Sequence, residues 1–185
     1  MFNKYIKISA IALLIALIAG FATNPGSRDY FRFKMGNYDI NGETASIKDS
    51  IKLFSSSMAG FYASGGNTAG LRMFPAEMLI KRRIFMDISI NRDSGLLLVL
   101  DRDRSDVKQV TFVDPAHAIA IVEENWVNQY QDPATRRPVS GKKANIITVR
   151  YFFKKIWSKW IVLEYEVYDR NDNIPSVPKD RFVRW

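Results

Sequence analysis

An apolar run without charges opens the chain. It extends from Ile8 to Ala22, follows a short basic start that contains Lys4 and Lys7, and ends at Asn24-Pro25-Gly26. A basic start followed by an apolar run is the pattern that the secretion machinery reads. Residues 1–23 are therefore predicted to be a membrane anchor or a signal peptide.

The pattern leaves both outcomes of this segment open. As a helix the run would rise about 22 Å, which is short of a hydrocarbon core of about 30 Å. An extension from Tyr5 to Thr23, with Lys7 reaching the headgroups, comes close to a minimal span. The small residues before Thr23 also make a credible signal-peptidase site. We favour the anchor, which predicts a single-pass protein of the bacterial inner membrane with its domain in the periplasm.

A segment with the composition of a linker and then the clearest helix follow. Residues 24–42 contain Pro25, three glycines and several asparagines, which predicts a linker. Between Glu43 and Ala63 the apolar residues recur at spacings of four, three, four and three; they are Ile47, Ile51, Phe54, Met58 and Phe61. Gly65-Gly66 is expected to end this helix. Its apolar stripe must be covered, most simply by a sheet.

The stretch from Pro75 to Leu100 gives mixed signals. Pro75 suits the first position of a helix, whereas Ile84, Met86, Ile88 and Ile90 alternate like a strand. We therefore expect a short helix that passes into a strand, then a turn over 92–95 and a buried strand over 96–100.

The remaining chain has the pattern of an antiparallel sheet. Strands are predicted over 107–113 and 116–130, a polar loop over 132–141, and a closing hairpin with strands 144–153 and 160–168. One helical stripe followed by long antiparallel strands predicts an α+β domain over residues 43–170, in which a curved sheet wraps a helix. Residues 171–185 form a short C-terminal tail.

Composition supports one folded domain and limits its chemistry. Hydrophobic residues make up 47% and aromatic residues 13% of the chain, which is ample for a core. The absence of cysteine excludes disulfides, thiolate catalysis and Cys-ligated zinc. A net charge of +8 favours anionic partners, although the basic residues are scattered along the chain.

The order of elements resembles the nuclear transport factor two-like fold, a cystatin-like cone of helices against a bent sheet. The likeness lies in the closing hairpin, where Val149-Arg150-Tyr151-Phe152-Phe153 is followed by Trp160-Ile161-Val162-Leu163. With an N-terminal membrane segment added, the chain resembles the small bitopic inner-membrane subunits of type IV secretion and conjugation systems, or membrane proteins associated with mycobacterial lipid uptake. The segments 126–130 and 144–153 are similar to strands of the secretion family. Its Asn-Pro-Leu-Gly stretch is absent, since Asn173-Ile174-Pro175-Ser176 stands there.

Candidate catalytic and metal-binding residues are few. His117 is the only histidine, and Asp87 is the only partner with which we would test it, because the resembled superfamily includes enzymes that use His or Asp inside the cone. The segment 101–106 begins like a calcium loop but lacks its Gly and Glu, so we expect a solvated hairpin turn there. The glycine-rich segment 65–70 lacks the Lys-Ser/Thr of a phosphate loop, so we expect a flexible connection. We therefore expect no catalytic residue, no metal and no cofactor.

The hairpin turn is the most suggestive candidate for an interaction surface. Aromatic residues and lysines interleave there, which suits contact with a protein or a membrane. The surface would comprise Lys154, Lys155, Ile156, Trp157 and Lys159, together with Phe182 and Trp185 of the tail.

We expect from these features a membrane-anchored, extracytoplasmic structural subunit that assembles with other proteins of a transport or secretion complex, with a homo-oligomer possible. One alternative is a small-molecule binder or enzyme, which predicts polar residues converging around His117 and Asp87. A second alternative is a basic domain that binds nucleic acid or anionic lipid. Of these two partners, nucleic acid is the less favoured. This alternative predicts one shared face for Lys142, Lys143, Lys154, Lys155 and Lys159.

Overall fold

The computed structural model describes residues 24–169 and 172–176. It contains helices α1 (Pro25–Lys34), α2 (Ile40–Ser64) and α3 (Met78–Asp93), a 3-10 turn (Thr68–Gly70), and strands β1 (Leu97–Asp114), β2 (His117–Gln131), β3 (Lys143–Ile156) and β4 (Lys159–Asp169). No helix within the described ranges is long and apolar enough to cross a membrane. The predicted anchor over residues 1–23 lies outside the described residues.

The four strands form one antiparallel sheet in the order β1-β2-β3-β4. One face of the sheet packs on α2 through the inward residues Ala118, Ala120 and Val122 of β2, opposite Phe153, Tyr151 and Val149 of β3. The buried side chains of α2 and α3 complete this core. The predicted α+β architecture, with helices packed on an antiparallel sheet, is confirmed.

Helix α2 buries the stripe that its spacing predicted. Ile47, Ile51, Phe54 and Phe61 are all at most 4% exposed. The helix begins three residues earlier than expected, because the side chain of Asp39 caps it by accepting from the Gly42 N–H at 2.9 Å.

The end of α2 depends on Gly65. This residue has a φ of 68°, the left-handed conformation that favours glycine. Gly65→Ala is expected to lower the free energy of unfolding by about 1 kcal/mol, because Cβ disfavours that conformation. A urea titration of the two proteins measures the difference. Gly60→Ala is the matched control, since it lies inside α2 with open space around its Cα and should be neutral or stabilising.

The predicted linker over residues 24–42 contains α1 and the first residues of α2. Pro25 occupies the first turn of α1, and Asn24 caps it by accepting from the Gly26 N–H at 3.0 Å. Pro25 and Gly26, which suggested a linker, are here part of a helix start, whereas Gly36 lies in the α1–α2 connection with a φ of 72°.

The prediction for residues 75–90 was wrong in two respects. Pro75 lies in an extended segment whose carbonyl accepts from the Val162 N–H at 2.8 Å, beside edge strand β4. The helix starts at Met78 and continues to Asp93, so no strand forms over residues 84–90. Its buried residues Ile80, Ile84 and Ile88 recur every four positions, and this helical period overrides the apparent alternation.

Strand β1 is continuous where two shorter strands and a turn were expected. The charged segment 101–106 lies within β1 and pairs with β2, with register shifts between Arg102 and Arg104 and between Val107 and Gln109. β1 is an edge strand, so charged side chains are tolerated along it, and the bulges bend it.

Candidate functional site

Trp157 stands at the tip of the β3–β4 hairpin. Trp157 and Ser158 have φ angles of 49° and 65°, which are the positive values of a two-residue type I′ turn. The side chain of Trp157 is 93% exposed. Such a turn favours Asn-Gly, and a bulky residue with positive φ costs about 1–2 kcal/mol. The chain therefore presents a large aromatic side chain at a conformational cost.

Because of this conformational cost, we expect that a turn sequence suited to positive φ would make the fold more stable. Replacing Trp157-Ser158 by Asn-Gly is expected to raise the free energy of unfolding by about 1–2 kcal/mol, because both residues suit positive φ. Chemical denaturation of the folded protein measures the gain. A loss of stability would show that Trp157 supports the fold rather than a contact outside it.

The start of α1 lies beside this tip. A cavity of about 490 Å³ is lined by Pro25, Gly26, Asp29 and Tyr30 of α1, by residues 114–117 around the β1–β2 turn, and by Lys155, Trp157 and Ser158. The point at which the chain arrives from residues 1–23 is thus next to the exposed tryptophan. We call this region the hairpin end: the start of α1 (25–30), the β1–β2 turn (114–117) and the β3–β4 turn (155–158).

Lys155 connects the elements of the hairpin end through ion pairs and is not a free surface lysine. Its Nζ lies 2.5 Å from Oε1 of Glu43 and 3.8 Å from Oδ2 of Asp29, and its side chain is 15% exposed. Glu43 also accepts from Nε1 of Trp160 at 2.7 Å. These contacts join α1, α2 and the hairpin, so Lys155 has a structural role that its sequence position did not reveal.

Tyr38 secures the same region from the α1–α2 connection. Its hydroxyl donates to the carbonyl of Pro115 at 3.0 Å, and its ring packs edge-on against Phe33 and Phe112. Burial and the nearby carboxylate of Glu43 raise the pKa of the Tyr38 phenol well above its usual range. Tyr38 therefore remains a neutral hydrogen-bond donor at physiological pH.

The other residues of the predicted interaction surface differ in their exposure to solvent. Ile156 is 38% exposed, Lys159 is exposed, and Lys154 is half-buried and pairs across the ladder with His117. Phe182 and Trp185 lie outside the described residues. Of the two large apolar residues predicted for this surface and described by the structure, Trp157 is therefore the more accessible.

His117 and Asp87 have different partners. Nδ1 of His117 lies 2.9 Å from Oδ2 of Asp114 at the β1–β2 turn. Asp87, on α3, accepts from the hydroxyl of Tyr62 at 2.5 Å. Burial and this bond to Asp87 raise the pKa of the Tyr62 phenol well above its usual range. The structure does not place the two predicted partners in one catalytic arrangement.

The two motif-like segments have structural roles. Asp101, Asp103 and Asp106 lie along β1, and in residues 24–169 and 172–176 no group of three or more His or acidic side chains could hold a metal ion. The glycine-rich segment 65–70 ends α2 and enters the 3-10 turn.

The lysines of the basic-domain alternative lie at opposite ends of the sheet. Lys142 and Lys143 adjoin the start of β3, whereas Lys155 lies in the hairpin end and Lys154 and Lys159 lie directly next to it. A strand of this length separates the two groups by about 35 Å. The structure does not bring them to a common site.

A buried ionic cluster between α2 and the sheet was missed by the sequence analysis. Glu124 is 1% exposed and accepts from Nε1 of Trp126 at 2.7 Å and from the hydroxyl of Tyr151 at 3.0 Å. Nη1 of Arg102 lies 3.5 Å from Glu124 and donates to Oγ of Ser55 at 2.7 Å. Burial and the Glu124 carboxylate raise the pKa of the Tyr151 phenol well above its usual range. Trp126, Tyr151 and Arg102 thus contact the Glu124 carboxylate, and Ser55 holds the guanidinium group of Arg102.

The alternation along β2 carried a signal for this cluster. Glu124 has the same inward parity as Ala118, Ala120, Val122 and Trp126, so a charged residue at that position requires a buried partner.

A second buried cation lies on the opposite face of the sheet. Arg150 is 3% exposed, pairs with Glu166, and packs against the rings of Phe152 and Tyr168 at 5.5 and 5.4 Å. It also donates to the carbonyl of Pro175. The start of the predicted C-terminal tail is therefore attached to the outer face of β3 and β4.

The fold has a known counterpart. No family model matches the chain, and none of the curated proteins matches it by sequence. Among solved structures, the chain is similar to the intermembrane space region of the chloroplast protein ARC6, with a TM-score of 0.57 and 13% identity over 68% of this chain and 95% of that chain. The chain is therefore an α+β domain that shares the fold of that region.

A second solved structure gives a weaker match. It is an NTF2-like protein of unknown function from Prochlorococcus sp. NATL2A (Prochlorococcus marinus), with a TM-score of 0.33 and 15% identity over 49% of this chain and 63% of that chain.

Proposed function

We propose that the chain is a membrane-anchored, extracytoplasmic assembly subunit whose hairpin end contacts a neighbouring protein at the membrane surface. The observation that carries this proposal is the position of Trp157, which is 93% exposed beside the start of α1. If residues 1–23 span the membrane, only a few residues separate the bilayer from this tip. A tryptophan there can reach either the headgroup layer or a membrane-embedded partner.

Charge and shape favour a protein partner over lipid. Binding to anionic lipid relies on clusters of uncompensated Lys and Arg. Of the three lysines at this end, Lys155 is paired with Glu43 and Asp29, so at most Lys154 and Lys159 add to such a cluster. A single exposed tryptophan next to a cavity of about 490 Å³ has the form of an interface anchor beside a pocket. The role of the domain is then positional: the anchor concentrates it at the membrane, and the hairpin end docks.

The likeness to the ARC6 region supports the setting of this proposal. That region is the part of a chloroplast protein that lies in the intermembrane space. The fold therefore occurs in a domain located between two membranes. For this chain we propose the corresponding location, on the periplasmic side of a bacterial inner membrane. We also propose that the domain is an NTF2-like cone without catalytic activity. It would belong to a transport or secretion complex that resembles type IV secretion systems. Other subunits of that complex are the proposed partners.

Photocrosslinking in native membranes tests the contact. Benzoylphenylalanine replaces Trp157 in the full chain, and the matched control carries it at Ala134, which is exposed in the β2–β3 loop at the other end of the sheet. We expect a discrete protein adduct from position 157 and none from position 134. Adducts with lipid alone, or the same adducts from both positions, would contradict the proposal.

A further inference from the structure

A cleft between α2 and edge strand β1 has the size and lining of a binding site. Its volume is about 440 Å³, and it is lined by Lys48, Ile51 and Lys52 of α2 and by residues 102–107 of β1. Cavities that hold small ligands begin at about 300 Å³. The cleft is separate from the hairpin end, with which it shares no lining residue.

The cleft carries an excess of positive charge. Four basic residues line it, against two acidic residues; they are Lys48, Lys52, Arg102 and Arg104 against Asp103 and Asp106. Both acids accept a hydrogen bond from a residue outside the cleft lining. Asp106 accepts from Nζ of Lys108 at 2.7 Å, which lowers the pKa of its carboxyl group, and Asp103 accepts from Nδ2 of Asn125 at 3.0 Å.

Three of the four cations have no close ion-pair partner among the described residues, although Lys48 and Arg104 act on the Asp106 carboxylate at longer range. Lys48, Lys52 and Arg104 form no ion pair with any residue in the described part of the chain. Lys48 and Lys52 are one helical turn apart on α2 and line the cleft together. Two like charges at this spacing repel each other, so an anion between them would relieve an unfavourable interaction.

Arg102 provides a rigid donor at the inner side of the cleft. Its side chain is 14% exposed, and both of its hydrogen bonds, to Ser55 and Glu124, run from Nη1. Nε and Nη2 donate to no described residue, so this edge of the guanidinium group remains available to a ligand. Because Ser55 and Glu124 fix the group in place, little conformational entropy is lost when it binds an anion.

We propose that this cleft binds the phosphate group of a small ligand. A phosphate carries up to two charges and several acceptor oxygens, which matches a guanidinium edge flanked by two lysines. The phosphate could belong to a soluble ester or to a phospholipid headgroup, and both sources present the same chemistry to the cleft.

Calorimetric titration of the full chain in an uncharged detergent tests this proposal. The probes are inorganic phosphate, sn-glycerol 3-phosphate and a short-chain phosphatidylglycerol, each at low salt. We expect saturable binding of at least one probe that weakens as salt is raised. Binding of the ester alone indicates a soluble ligand, and binding of phosphatidylglycerol alone indicates a lipid headgroup. No saturable binding of any probe would overturn the proposal.

Matched lysine variants locate the site. Lys48→Gln/Lys52→Gln removes two exposed cations from the cleft without touching the core, and should weaken binding by about tenfold or more. Lys142→Gln/Lys143→Gln removes the same charge from the other end of β3 and should change affinity by no more than about twofold. Equal weakening by the two variants would show binding to net charge alone and would overturn the site.

Discussion

Trp160→Ala is expected to lower the free energy of unfolding by about 3–5 kcal/mol, the usual cost of removing a buried tryptophan. Trp160 is 1% exposed and packs edge-on against Phe112. Its Nε1 also donates to Glu43 at 2.7 Å, so the substitution opens a cavity and removes one link between α2 and the hairpin. Urea denaturation monitored by circular dichroism measures the loss.

Two control variants separate these contributions. Trp160→Phe keeps most of the ring volume but loses the bond to Glu43, and should cost about 2 kcal/mol. Trp157→Ala removes the same side chain three residues earlier, where it is 93% exposed, and should change stability by no more than about 0.5 kcal/mol. Equal losses from Trp157→Ala and Trp160→Ala would contradict the assignment of one to the surface and the other to the core.

The second large effect concerns the buried ionic cluster. Arg102→Met, which keeps the approximate volume, is expected to lower the free energy of unfolding by about 3–5 kcal/mol. The cause is the carboxylate of Glu124, which is 1% exposed and would lose its cation. Thermal and chemical denaturation of the full chain measure the change.

A double-mutant cycle distinguishes a charge effect from a packing effect. Arg102→Met/Glu124→Gln replaces the pair by neutral groups. The carbonyl oxygen of the introduced amide can accept from Nε1 of Trp126, and its amino group can donate to the hydroxyl oxygen of Tyr151. We expect this protein to lie within about 2 kcal/mol of the natural chain, and therefore to be more stable than Arg102→Met alone. A double variant at least as unstable as the sum of the two single variants would contradict the account.

The elements with one unambiguous period were predictable. The stripe from Ile47 to Phe61 has a single period and folds as expected. The closing hairpin also forms, but its strands extend beyond the predicted bounds and a register shift between Phe152 and Phe153 interrupts the alternation. The prediction for residues 84–90 was wrong because the apolar positions there fit both the two-residue period of a strand and the four-residue spacing of a helix. These positions are Ile84, Met86, Ile88 and Ile90. Packing decided the outcome, since Ile84 and Ile88 face the core with Ile80, whereas Met86 and Ile90 are 62% and 58% exposed.

The candidate sites were less predictable because they depend on contacts between distant residues. The exposure of Trp157 could be inferred from its position in a hairpin turn. The burial of Lys155 could not, because it requires Glu43, which is 112 residues away in sequence. The same applies to the cleft, in which Lys48 and Lys52 meet β1 residues whose charges had suggested a solvated turn.

The central claim is that the chain remains attached to a membrane and assembles there with other proteins. Its most direct test is purification of the natural full chain through a C-terminal tag from native membranes in mild detergent, followed by the intact mass and the identity of co-purifying proteins. The account predicts the mass of the uncleaved chain together with membrane proteins in stoichiometric amount. A chain that begins at Thr23 and purifies without partners would contradict it.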